Sequence, residues 1–314
     1  MYKIKQRPED FIVNEIFSPK LKKQGDYVYF RLKKTNYNTI DAIKKIANAI
    51  KLPFKRFGFA GAKDKNAVTS QVVSVKTNDE AKITMLRELK LKDIEIEILG
   101  KSDQPVSLGD HEGNEFIVTI RNLKEIPKKI NTKFINYFGP QRFGLKNALI
   151  GKAIIKKSFQ KAVKLIDRPE CNEHIKFHPN DFTGAIRKLP NKLISLFVHA
   201  YQSDIWNRVA DKVGIEEFSI PGFGAEYRDE KVKQLINKEL KKDSITSRDF
   251  IIRQIPNIHT EGRTRKKWVK AEDFKILEEE KDELHIGKKK LKIKFRLPKG
   301  SYATVFIKSI FASS

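Results

Sequence analysis

The sequence predicts a mixed α+β protein. Short runs rich in aromatic and β-branched residues cluster towards both ends of the 314-residue chain, while long stretches with helical apolar spacing occupy its middle. Strand-like alternation returns at residues 290–295. Strand-rich ends around a helical centre describe one domain interrupted by a second, and the length is enough for two cores.

In chain order, residues 11–17 (Phe-Ile-Val-Asn-Glu-Ile-Phe) and 26–32 (Asp-Tyr-Val-Tyr-Phe-Arg-Leu) read as strands. Ile40, Ile43, Ile46, Ala47 and Ile50 fall on one helical face over 39–50, and Pro53 closes that segment. Strands are expected at 69–75, 94–99 and 115–120, and helices at 79–89 and between Pro127 and Phe138. Residues 145–166 and 192–213 read as helices separated by a polar, Pro-containing stretch at 168–190. Turns follow at Pro221-Gly222-Phe223-Gly224, and Gly300-Ser301-Tyr302-Ala303-Thr304 opens a final helix.

Charge narrows the partner. The chain holds 64 Lys+Arg against 39 Asp+Glu, a net +25. Lys-rich thermophile surfaces usually balance Lys with Glu. That balance fails here, which favours a polyanion. One of the longest charge-free apolar stretches, 193–203, is too short to span a bilayer and contains His199 and Gln202. The first five residues lack a signal-peptide core, and a lone Cys171 excludes an internal disulfide framework. A cytoplasmic location is the expectation.

Four segments concentrate chemistry. Gly61-Ala62-Lys63-Asp64-Lys65, continuing to Gln71, sets one carboxylate between two lysines on a loop between strand-like runs. Such an Asp either caps local backbone or, held ionised by nearby cations, attacks an electrophilic carbon. A metal-dependent nuclease would need further acidic ligands, and no second acidic cluster lies near Asp64 in sequence. Asn136 to Gly144 packs three aromatics with Asn136, Gln141 and Arg142; it is either a turn with buried aromatics or a loop that stacks Phe138 on a base and reads its edge through an amide. Leu297 to Thr304 places Tyr302 at a helix start, by capping logic or to meet a ligand, and Lys5 to Phe11 is a charged turn entering a strand. Basic clusters at Lys152/Lys156/Lys157, at 263–267 with Arg263 and Arg265, and at 288–290 sum to a phosphate-binding footprint. Cys171-x-x-His174-x-x-x-His178 lacks a fourth zinc ligand and reads as histidines on a solvated loop. Gly222-x-Gly224 is too short for a dinucleotide fingerprint, and residues 200–207 read as the packed face of a helix.

Taken in order, Pro8-Glu9-Asp10-Phe11-x-Val13, Lys34-x-x-x-Asn38-Thr39, Gly61 to Lys65 with Ala67-Val68-Thr69 and Gln71, Asn136 to Gly144, Ala200-x-Gln202-Ser203 and Leu297-Pro298-x-Gly300-Ser301-Tyr302-Ala303-Thr304 resemble the TruD family of tRNA pseudouridine synthases. The resemblance implies a mixed, mainly antiparallel sheet with helices in a discontinuous catalytic domain (1–145 and 271–314), interrupted by a family-specific, helix-rich domain at 146–270. It implies isomerisation of a tRNA uridine, typically uridine 13, with no cofactor and no metal. Asp64 matches the nucleophile and Lys5 a lysine near it; Phe11, Asn136 and Tyr302 match contacts to the target nucleotide. Phe138 joins them from the stacking loop, while Lys63, Lys65, Gln141, Arg142, Arg263 and Arg265 are expected at RNA. The expected partner is tRNA, with no membrane and no obligatory protein partner, the chain acting as a monomer. The rivals are a non-catalytic RNA-binding or RNA-folding protein of the same fold, with Asp64 only structural, and a metal-dependent RNA-cleaving enzyme.

Overall fold

The structure, a computed structural model, describes residues 1–256, 258 and 260–312. Its strands are β1 (Phe11–Ile16), β2 (Tyr27–Thr35), β3 (Phe57–Phe59), β4 (Val68–Lys76), β5 (Ile94–Ser102), β6 (Gly113–Leu123), β7 (Lys133–Ile135), β8 (Glu217–Ser219), β9 (Thr264–Lys266), β10 (Trp268–Lys270), β11 (Glu272–Lys281) and β12 (Lys289–Pro298). Its helices are α1 (Thr39–Ala49), α2 (Glu80–Glu88), α3 (Pro140–Phe143), α4 (Asn147–Ile155), α5 (Phe159–Ile166), α6 (Pro169–Phe177), α7 (Phe182–Arg187), α8 (Asn191–Ala210), α9 (Glu230–Lys242) and α10 (Ala303–Ala312). Two compact units result: the described residues of 1–132, 270–303 and 310–314, and those of 133–269 and 304–309.

The first unit is built on an eight-stranded sheet in the order β11-β12-β6-β1-β4-β2-β5, with β3 paired alongside β4. Only the β1–β4 pair on this path is parallel, Ile12 opposite Val68; its other resolved pairings are antiparallel. The fold is therefore the mixed, mainly antiparallel α+β class that the sequence predicts. α1 and α2 cover one face: Ile43, Ile46 and Ala47 of α1 and Ile83 and Leu86 of α2 pack on Val28, Phe30, Leu32, Val73 and Val75. Fully burying each Ile, Leu, Val or Phe side chain among them contributes about 1.5–3 kcal/mol. Ile40, by contrast, is exposed. Asn38 starts α1 by accepting the Asp41 N–H at 2.8 Å, and Asp79 starts α2 by accepting that of Ala81 at 2.9 Å.

The second unit centres on α8, whose Tyr201, Ile205, Trp206 and Val209 are buried. α4 crosses α8 at Gly151, where an added Cβ would stand 1.9 Å from the Phe197 carbonyl oxygen. Gln202 donates to the carbonyls of Pro221 and Thr260 at 2.8 and 2.9 Å, so the turn around Gly222 is stapled to the helix.

Three local expectations need correction. No helix forms between Pro127 and Phe138; β7 runs there and pairs with β10. The β-branched Ile130, Thr132 and Ile135 disfavour helix, and Phe134 is drawn into an aromatic contact with Phe306, ring centroids 5.2 Å apart. The single helix expected at 145–166 is two, because Lys157 takes a left-handed φ of 55° and Ser158 starts α5. The stretch 168–190 contains α6 and α7: Pro169 occupies the first helical turn, where its missing N–H costs nothing. Of the two histidines, His174 lies within α6, whereas His178 is exposed in the bend just beyond its end, as the loop reading expects. His174 contacts Asp181 at 2.8 Å, and the buried Cys171 thiol bonds the Ala185 carbonyl.

Candidate active site

Asp64 lies on the connection from β3 to β4, and this loop is braced at three backbone points. Gln71 of β4 donates to the Gly61 carbonyl at 3.0 Å, and the Thr39 hydroxyl accepts the Lys63 N–H at 2.8 Å while donating to Gln71 at 2.8 Å. The Lys34 ammonium donates to the Asp64 carbonyl at 3.0 Å and to that of Tyr37 at 2.5 Å. Lys34 is 1% exposed. Burial pushes its ammonium down to about 8; the Asp64 carboxylate opposes that fall and Lys63 adds to it.

The side chains flanking Asp64 diverge. Lys63, expected at RNA, instead reaches inward to Glu15 at 2.5 Å, in a pair whose side chains are 7% and 0% exposed. Glu15 also accepts the Val72 N–H at 3.0 Å. A buried carboxylate needs that cation, so Lys63 ties the loop to β1 and does not face solvent. Lys65 is exposed.

The Asp64 carboxylate, one third exposed, forms an ion pair with Lys5. Lys5 adopts φ 58°, a left-handed conformation that costs a non-glycine residue about 1–2 kcal/mol. Its ammonium also sits 4.1 Å from the Phe11 ring centroid. Phe11 is 3% exposed and meets Phe116 edge-on, so the lysine covers a face of the ring. The strained segment is held from both sides. Lys3 and Arg121 exchange backbone hydrogen bonds at 2.9 and 2.8 Å, while the Arg121 guanidinium donates to Asp10 at 2.9 Å and to Asp282 at 3.0 Å. Burial alone would raise the Asp282 carboxyl, but N–H groups of Asn122 and Leu284, His285 and Arg121 hold it far below the carboxylate range.

Tyr302 is half-buried at the N-terminal end of α10, beyond the β12 end where Pro298 stands opposite Gly113. Within the first unit Lys5 therefore contacts both Asp64 and Phe11.

In the second unit Asn136, Phe138 and Arg265 form one cluster. Asn136 is 5% exposed; its carbonyl and Oδ1 accept from Arg265 at 2.7 and 2.9 Å, and its amide donates to the Lys266 carbonyl at 3.3 Å. The Arg265 guanidinium lies 3.9 Å from the Phe138 ring centroid, and Phe138 stands edge-on to Trp206. Two expectations change here. Phe138 is 6% exposed and packs internally rather than offering a face to a base, and Arg265 faces a carbonyl and two aromatic rings rather than solvent. Arg142 is half-buried above the same Phe138 ring at 5.5 Å, whereas Gln141 and Arg263 are exposed. Asn207 brackets the Phe138 backbone, donating to its carbonyl at 3.1 Å and accepting its N–H at 2.9 Å.

Several of these residues carry no role in the sequence reading, yet two had a legible signal. Val28, Phe30, Leu32 and Lys34 point the same way on β2, as do Phe11, Val13 and Glu15 on β1. A charge at an inward position of an alternating strand demands a partner.

The sequence profile described as tRNA pseudouridine synthase D (TruD) matches residues 2–173, 170–218 and 215–310. The chain belongs to the TruD family. Among curated TruD relatives, one named tRNA pseudouridine synthase D from Aquifex aeolicus is 30% identical, covering 99% of this chain and 98% of its own. Another TruD protein, from Methanocaldococcus jannaschii, is 31% identical over 98% of this chain and 91% of its own. A crystal structure assigned to TruD from Methanosarcina mazei superposes with a TM-score of 0.76 at 26% identity, covering 98% of this chain and 93% of that one. Among the described residues no helix is long and apolar enough to cross a membrane.

Proposed function

We propose that this chain isomerises a uridine of tRNA to pseudouridine, without a cofactor, with Asp64 as the catalytic carboxylate. The observation that carries this reading is the Lys5–Asp64 ion pair on a loop braced at three backbone points, in a chain matched by the TruD family over nearly its whole length. The substrate position is uridine 13, the family's typical target.

The target nucleotide is extruded from the folded tRNA. Phe11, Tyr302 and Asn136 contact it, and Lys65, Gln141, Arg142 and Arg263 engage the RNA around it. For a base to stack on Phe11, the Lys5 ammonium moves off the ring face that it covers at 4.1 Å. Asp64 assists cleavage of the N1–C1′ bond, by adding to C1′ or by removing a ribose proton. The released uracil turns in place, C5 bonds to C1′, the C5 proton leaves and N1 ends protonated, so substrate and product are isomers. Exclusion of water keeps the detached base from escaping.

The test uses unmodified tRNA transcripts tritiated at uracil C5, with chelator present. Wild type is expected to release tritium, and Asp64→Asn to do so at least about 10³-fold more slowly with tRNA Kd within about threefold of wild type. Release by Asp64→Asn at the wild-type rate removes Asp64 from this role. A transcript carrying C at position 13 is expected to release none from that site; unchanged release places the target elsewhere.

A further inference from the structure

We infer that Lys34 is a positioning residue for the reaction: its ammonium, tied to the carbonyls of Asp64 and Tyr37, fixes the main chain from which the catalytic carboxylate projects. This rests on the role proposed for Asp64.

A lysine that is 1% exposed on a core-facing strand position is costly. Leucine or methionine would fill the same volume beside Leu32 without desolvating a charge. Both hydrogen-bond acceptors of the Lys34 ammonium are main-chain carbonyls. One is local, three residues away, and the other lies 30 residues on, in the Asp64 loop. Packing alone therefore does not explain Lys34. What it uniquely supplies is a rigid link from β2 to Asp64 itself, beside the Thr39 link to the preceding residue. Two consecutive residues held from two different elements leave the carboxylate little freedom to wander. The same carboxylate is also the negative charge that opposes the fall in the lysine's proton affinity.

Misplacing a reacting group by about 1 Å costs on the order of 100-fold in rate, without weakening substrate binding. The experiment measures single-turnover tritium release and tRNA Kd for Lys34→Met, for Lys34→Ala with and without added propylammonium, and for Asp64→Asn. Lys34→Met keeps the volume and loses the donor. Its expected rate is about 100-fold below wild type, with Kd within about threefold and an unchanged circular dichroism spectrum. Lys34→Ala is expected to be equally slow and to recover at least about tenfold when propylammonium fills the vacated site. A folded Lys34→Met or Lys34→Ala protein with a wild-type rate overturns the inference. So does a loss that appears wholly in Kd. Should neither variant fold, the isosteric Thr39→Val, which removes the adjacent brace, decides: a slow rate at unchanged Kd supports a braced loop, and a wild-type rate rejects it. If Asp64→Asn is itself active, the underlying role of Asp64 fails, whatever Lys34 does.

Discussion

Arginines two positions apart have opposite environments. Arg263 is exposed, while Arg265 donates to Asn136 and lies on Phe138. A phosphate contact and an internal clamp leave different signatures. Arg263→Ala is expected to weaken tRNA binding and reduce the steepness of its logarithmic salt dependence by about 0.7–1. Arg265→Lys keeps the charge but loses the planar fork that grips the Asn136 carbonyl and Oδ1. It is expected to leave the salt slope unchanged and lower the single-turnover rate by about tenfold or more. Filter binding across a salt series, with tritium release, separates the two. A shallower slope for Arg265→Lys would return that residue to the RNA-facing set. Proximity in sequence to a basic run thus carried less information than orientation. The run 263–267 reads as one cationic patch, yet Lys267 at its end is buried with its ammonium on the Val213 carbonyl.

At the scale of elements, the α4–α8 crossing is governed by one missing methyl. With the Gly151 Cβ position 1.9 Å from a backbone oxygen, no rotamer change relieves an added side chain and the helices must separate. Gly151→Ala is expected to lose about 2–3 kcal/mol in denaturant unfolding, at the upper end of overpacking costs; a loss below about 0.5 kcal/mol would mean that the crossing adjusts freely. Elements were legible where one face alternates against a core. Phe11, Val13 and Val28, Phe30, Leu32 mark β1 and β2, and Ile43, Ile46 and Ala47 mark α1. β11 was not legible, since nearly every residue of Glu272–Lys281 is exposed and leaves no period to read. The break between α4 and α5 was missed because apolar spacing continues through it. The turn is made by Lys157, a residue that seldom signals a left-handed φ. In the site, the motif around Asp64 stood out in the sequence, but the contacts that brace it did not. Glu15, Lys34, Thr39 and Gln71 come from β1, β2, α1 and β4; the inward charges of Glu15 and Lys34 signal that partners are needed, but nothing local names those partners.

For the molecule as a whole, internal ion pairs do not dilute the charge surplus. Each pair, such as Lys63–Glu15 or Lys152–Asp243, removes one charge of either sign, so the net +25 remains to be met from outside. A chain of this charge binding tRNA is expected to lose at least about tenfold in affinity between 50 and 200 mM salt through counterion release. A flat response in the same filter-binding series would count against an RNA partner held through its phosphates.

The strand order has a consequence for how the chain is made. β6 lies between β1 and β12, and Phe116, Val118 and Ile120 of β6 are buried in the finished sheet. On the ribosome β1 precedes β6, but β12 emerges only with Lys289–Pro298, after residues 133–269 of the second unit. At about 5–20 residues per second the β6 edge waits roughly ten to thirty seconds for its partner. Through that interval a nascent chain presents an open, apolar strand edge of the kind that recruits neighbouring chains. The pace of synthesis, more than the stability of the completed sheet, sets how long this protein is vulnerable to aggregation.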